Sequence, residues 1–203
     1  MPATGQSQNP AASTDTPFAK VPLQKIHTFI EGLDDILQGG LPANRTSLVM
    51  GSPGSGKTIM GIEFLYRGAL NDEPGIFLGF EESPRALREN AQTMGWNLAE
   101  LEQDGRLFLL EGHFEPETII SGDFSLKPLL AIISGKAEQM GARRIVLDAL
   151  DVLLRLYSDP VRIRAELHTL NDWLVACGMT AVMTLKPRQK NNSQPFLDFF
   201  YSM

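Results

Sequence analysis

Residues Gly51-Ser52-Pro53-Gly54-Ser55-Gly56-Lys57-Thr58 fit the pattern G-x-x-x-x-G-K-[ST], a phosphate-binding loop. No other segment constrains the fold as much, because such a loop works only between a strand and a helix. Both are present. The run Thr46-Ser47-Leu48-Val49-Met50 leads in, and a helical pattern over residues 59–70 leads out. Gly51, Gly54 and Gly56 let the chain curl so that successive amides point inward at anionic oxygens. A helix starting near Gly56 adds its positive dipole end and its unpaired N–H groups. Lys57 is then placed for the β- and γ-phosphates, and Thr58 offers its hydroxyl to Mg²⁺. Residues Gly51 through Thr58, with Ile59 behind them, are the expected nucleotide site.

From residue 46 onward, apolar runs alternate with helical patterns. Strands are predicted at 47–50, 75–80, 106–110, 144–148 and 180–185. Helices are predicted at 59–70, 84–94, 126–140 and 162–177, the second with an extension over 98–103. The strand runs are continuously apolar, which suits strands covered on both faces. Strand–helix–strand repetition predicts an α/β fold with a mostly parallel, twisted sheet and helices on both faces. Residues 1–20 carry few large apolar side chains and read as a disordered tail. Residues 21–203 read as one domain, a size that suits the 203-residue chain. No apolar run approaches the ~20 residues of a membrane span. A single cysteine, Cys177, excludes an internal disulfide framework and points to a reducing cytoplasm. It reads as a small buried apolar residue. The net charge of −6 weighs against a dedicated nucleic-acid binder.

In parallel sheets ligands sit beyond the carboxyl ends of the strands, so the residues there carry the chemistry. Asp148 closes the fourth run, where an acidic residue downstream of a phosphate loop holds Mg²⁺ alongside Thr58; the bland alternative is a cap on the next helix. Glu81 and Glu82 follow the second strand. They suit a group that orients and deprotonates water for phosphoryl transfer, or equally a solvated acidic helix start. Lys186, Arg188 and Lys190 form a polar loop after the last strand, read first as solvated and second as a contact for phosphate, nucleic acid or a neighbouring subunit. Arg143 and Arg144 read as the start of a buried strand. His27, His113 and His168 lack metal-ligand spacing.

Several segments in order resemble the KaiC branch of the RecA-like ATPases. They are Phe29-Ile30-Glu31-Gly32-Leu33-Asp34-Asp35-Ile36 with Gly39-Gly40-Leu41-Pro42; the loop running on into Glu63-Phe64-Leu65-Tyr66; Phe80-Glu81-Glu82-Ser83-Pro84; Gly95-Trp96; and Ala142-Arg143-Arg144 with Asp148. The resemblance covers roughly residues 22 to 203. It implies a RecA-like P-loop NTPase fold, ATP and Mg²⁺ as ligands, and hydrolysis with Glu81 and Glu82 as the catalytic pair beside Lys57. It implies that Thr93 lies near the nucleotide. It also implies a homo-oligomer, typically a hexamer, with ATP at subunit interfaces, and regulatory protein partners in clock-type or signalling control. For full-length members, the resemblance further implies a serine/threonine kinase activity as an open alternative.

Two departures stand out. Family members often carry a Glu-Arg pair soon after the last strand; here the residues are Leu185-Lys186-Pro187-Arg188, and Arg188 is the substitute candidate for a trans-acting arginine. The chain also stops at Met203, before the family's closing strands, so a domain lacking its C-terminal strands is expected. Two other functions compete with the ATPase: a RecA-like DNA-binding recombination or repair ATPase, and a nucleotide-dependent assembly module with little hydrolysis.

Overall fold

Each central strand is apolar on both faces, and each face meets its own layer of helices. The computed structural model describes residues 22–112, 125–157 and 159–186. The expected tail, His113, Arg188, Lys190 and the segment up to Met203 lie outside the described residues. Element order is β1 (Lys25–Ile26), α1 (Leu33–Ile36), β2 (Leu41–Pro42), β3 (Thr46–Met50), α2 (Lys57–Leu70), β4 (Gly75–Gly79), α3 (Pro84–Thr93) and α4 (Leu98–Gln103). There follow β5 (Leu107–Glu111), α5 (Lys127–Met140), β6 (Arg144–Asp148), α6 (Leu150–Leu154), α7 (Pro160–Cys177) and β7 (Thr180–Leu185). β1 and β2 form a small antiparallel ribbon. The other five strands form one sheet in the order β3-β7-β6-β4-β5, every pairing parallel.

Alternate residues on each strand feed opposite cores. Ile145 and Leu147 of β6 join Ala181 and Met183 of β7 and the α5 and α7 residues Ile133, Leu167 and Leu170. Val146 and Val182, between them, join Phe64 and Leu65 of α2 and Leu87 of α3 on the other side. The period-2 geometry of a strand turns a continuous apolar run into two cores. Every predicted strand and helix is present, with ends shifted by one or two residues. The exception is the expected extension of the second predicted helix: α3 and α4 are separate, because Gly95 (φ 80°) reverses the chain between them. Ser83 caps α3 by accepting from the Ala86 amide at 3.3 Å, with Pro84 in the first turn. Asp159 caps α7 likewise, accepting from Val161 at 2.9 Å.

One expectation is corrected and another, Arg144 as the start of a buried strand, holds but is enlarged. Cys177 is exposed. The buried stripe of α7 ends one turn earlier at Leu174, and the chain turns back at Gly178. Arg144 is far more than a strand start. Its side chain is fully buried. Nε donates to Glu73 Oε2 at 2.7 Å, Nη1 to the Phe64 carbonyl at 2.9 Å and Nη2 to the His27 carbonyl at 2.7 Å. Nη2 also pairs with Glu73. The guanidinium lies against the rings of Phe64 and Phe29, 4.4 and 5.2 Å from their centroids. Burial pushes its pKa down and the Glu73 pair pushes it back up; a guanidinium stays charged throughout. Gly68 makes room for it, since a Cβ there would come within 2.4 Å of Nε.

The His27–Phe29 segment is fixed from a second side. Asp34 accepts from the Thr28 amide at 2.8 Å, the Thr28 hydroxyl at 2.7 Å and the Phe29 amide at 3.0 Å. Burial raises the Asp34 pKa, but the Thr28 hydroxyl and the two amides outweigh it and hold the carboxyl below its ordinary value.

Replacing Arg144 with Met should cost about 3 kcal/mol in urea unfolding, because Glu73 and two carbonyls lose their donor together. A loss within error of zero contradicts the anchoring role. Asp34→Asn should cost about 1 kcal/mol at neutral pH. A depressed carboxyl stabilises the fold above its unfolded pKa of 3.8 and loses that contribution as pH falls through the folded value. The difference between wild type and Asp34→Asn should therefore shrink as the pH falls below 3.8 and through the lower folded value.

Candidate active site at the strand carboxyl ends

The phosphate loop is built as its sequence requires. β3 ends at Met50, and α2 starts at Lys57 with Gly56 as its N-cap. Gly54 and Gly56 take φ of 77° and 85°, a region L side chains avoid. The Gly51 amide donates to Leu185 O at 3.2 Å, which ties the loop to the end of β7. Ser55 N donates to Ser52 O at 3.2 Å and closes the curl. Lys57 is buried, and its Nζ donates to Gly51 O at 2.8 Å, Ser52 O at 2.9 Å and Ser55 Oγ at 3.4 Å. The ammonium is thus held inside the curl by carbonyl dipoles.

Strand order brings Asp148 to this loop. β7 lies between β3 and β6, so the tip of β6 stands one strand from the loop. Asp148 is buried, and its Oδ2 accepts from the Thr58 hydroxyl at 2.7 Å. Its Oδ1 accepts from the Thr184 hydroxyl. A carboxylate beside a hydroxyl at a helix start is a hard-oxygen donor set. Mg²⁺ takes such a set when waters and substrate phosphates complete its shell. Among the described residues no group of three or more His, Cys, Asp or Glu could hold a metal by itself. Thr58 and Asp148 therefore fit an ion that arrives with phosphate.

Loop and carboxylates share an open cleft of about 520 Å³, within the range of about 300–1,000 Å³ common to small-molecule sites. Pro53, Gly54, Gly56, Lys57, Thr58 and Ile59 line one wall. Glu81 and Glu82 face them from the end of β4, which is fastened to β6 by a 2.7 Å bond from Phe80 N to Asp148 O. Thr93 lines the rim, its hydroxyl donating to Asn90 O at 2.7 Å. Gly51, Ser52 and Ser55 lie behind the wall, where they hold Lys57.

Two residues at the site, Asn90 and Thr184, are not singled out as site residues by the sequence, and a third, Lys186, reads first as solvated. Asn90 donates to Glu82 Oε2 at 3.1 Å. Thr184 holds the second oxygen of Asp148. Lys186 is partly exposed but reaches back across the cleft, its Nζ donating to both carboxylate oxygens of Glu81, Oε2 at 2.6 Å. The register of β6 on β7 pairs Leu147 with Met183, so the next residues, Asp148 and Thr184, come side by side. That neighbourhood becomes visible only once the strand order is known.

A family model described as "ATPase: KaiC" matches residues 26–199, which include all five strands of the sheet. The circadian clock oscillator protein KaiC of Acaryochloris marina is 41% identical over 167 residues, covering 81% of this chain and 32% of that protein. The protein of the same name from Synechococcus elongatus is 41% identical over 164 residues, covering 80% and 32%. The circadian clock protein KaiC2 of a Synechocystis strain is 37% identical over 182 residues, covering 89% and 32%. The chain thus spans about a third of the length of these curated relatives. Because the family match runs through both the sheet and the cleft, the chain belongs to the KaiC family of ATPases.

Proposed function

We propose that this chain binds ATP with Mg²⁺ in the cleft and hydrolyses it to ADP and phosphate. The observation that carries the reading is the 2.7 Å contact between Thr58 and Asp148, set between a phosphate loop and a facing pair of glutamates. The loop amides and Lys57 neutralise the phosphate chain. Thr58 and Asp148 would hold the metal, which supplies charge neutralisation where the phosphates meet. Glu81 or Glu82 orients a water and takes its proton as oxygen attacks the γ-phosphorus. The bond from that phosphorus to the bridging oxygen breaks, and ADP leaves.

The cleft is open on one side, which suits completion by a neighbouring copy. We extend the proposal to a homo-oligomer, with a hexamer as its expected form and nucleotide between subunits. Three relatives are named as clock proteins, and a timing or signalling use of hydrolysis, read by regulatory partners, is the biological setting we favour. Among the described residues no helix is long and apolar enough to cross a membrane. The DNA-binding alternative drew on Lys186, Arg188 and Lys190; Lys186 lines the cleft itself, facing Glu81.

Lys57→Ala should lower ATP affinity at least ~100-fold in calorimetry, since it removes a phosphate-binding charge from a buried curl. Unchanged affinity would overturn the loop assignment. The double variant Glu81→Gln/Glu82→Gln should still bind ATP and release phosphate about 10²–10⁴-fold more slowly than wild type. If both are equally inactive while ATP still drives assembly, as read by solution mass with and without nucleotide, the chain is an assembly module.

A further inference from the structure

Lys186 is the first residue beyond β7, the strand that lies between the one leading into the phosphate loop and the one ending at Asp148. Its backbone is steadied by a 3.4 Å bond from its amide to Asp151 Oδ1. Its side chain crosses the cleft to Glu81 and donates to both carboxylate oxygens. The cleft therefore holds two ammonium groups in different situations. Lys57 is buried inside the curl, bonded to two loop carbonyls and the Ser55 hydroxyl. Lys186 and Glu81 remain 29% and 37% exposed, so their pair is solvated and weak.

A terminal phosphate entering this cleft brings several charged acceptor oxygens near Lys186. It competes with Glu81 for the same three N–H donors. A diphosphate brings no such group. We propose that Lys186 is a positioning residue that reads the terminal phosphate. It pairs with Glu81 when no terminal phosphate is present and transfers to that phosphate when ATP binds, leaving Glu81 free to engage water. One ammonium then links triphosphate recognition to the release of the carboxylate. The inference rests on the ATP-site reading above.

The test is to measure Mg²⁺-dependent affinities for ADP and for a non-hydrolysable ATP analogue by calorimetry. Wild type, Lys186→Met, Lys186→Arg, Glu81→Gln and Glu81→Gln/Lys186→Met would be compared. Lys186→Met should weaken the triphosphate about tenfold and change ADP by less than about twofold, the retained ADP binding certifying the fold. Lys186→Arg should keep the discrimination. The double variant should bind the triphosphate about tenfold more weakly than Glu81→Gln alone, a gap that repulsion from an unpaired Glu81 cannot produce. If the double variant matches Glu81→Gln, or if Lys186→Met weakens both nucleotides equally, the proposal is overturned. A wild type that binds neither nucleotide overturns instead the reading of the cleft as an ATP site.

Discussion

The rest of the site depends on how the carboxylate of Asp148 is held. It sits between two hydroxyls, Thr58 from the start of α2 and Thr184 from the end of β7. Buried carboxylates persist when their oxygens are hydrogen-bonded, and both oxygens of this one are. The arrangement requires β7 between β3 and β6, because only then do the loop and the acidic strand tip face each other. Fold and site are thus one constraint. A different strand order would keep every motif in the sequence and lose the cleft.

The same strand is anchored at its other end by the opposite charge. β6 runs from Arg144 to Asp148, both buried, with three fully apolar residues between them. The Arg144 guanidinium gathers Glu73, α2 through Phe64 O, and the segment before α1 through His27 O. At the carboxyl end, Asp148 gathers α2 again through Thr58. α2 is therefore held to β6 at both ends of the strand. This keeps the phosphate loop in register with the carboxylate that would share its metal.

Local chemistry was legible in the sequence, and long-range pairing was not. Residues 51–58 announced a loop because their glycines and Lys57-Thr58 act on near neighbours. The apolar runs announced the strands. Arg144 looked ordinary because its partners lie far away along the chain, Glu73 71 positions earlier and two of them backbone carbonyls that no pattern reveals. Lys186 looked solvated because its partner Glu81 is 105 positions distant and meets it only through the strand order. Thr184 carried no alternation signal, since every residue of β7 is buried. Cys177 followed the helical spacing of Leu167, Leu170 and Leu174, but the helix ended before that stripe could bury it.

The central claim is that one cleft holds the phosphate chain, its metal and the attacking water. It is tested most directly by determining the structure of the chain with Mg²⁺, ADP and a fluoride mimic of the transferring phosphoryl group. The account predicts diphosphate against the amides of residues 51–58, the metal at Thr58 and Asp148, and the mimic facing Glu81 or Glu82 across one water. Nucleotide bound elsewhere, or a mimic with neither glutamate within one water of it, would contradict the account.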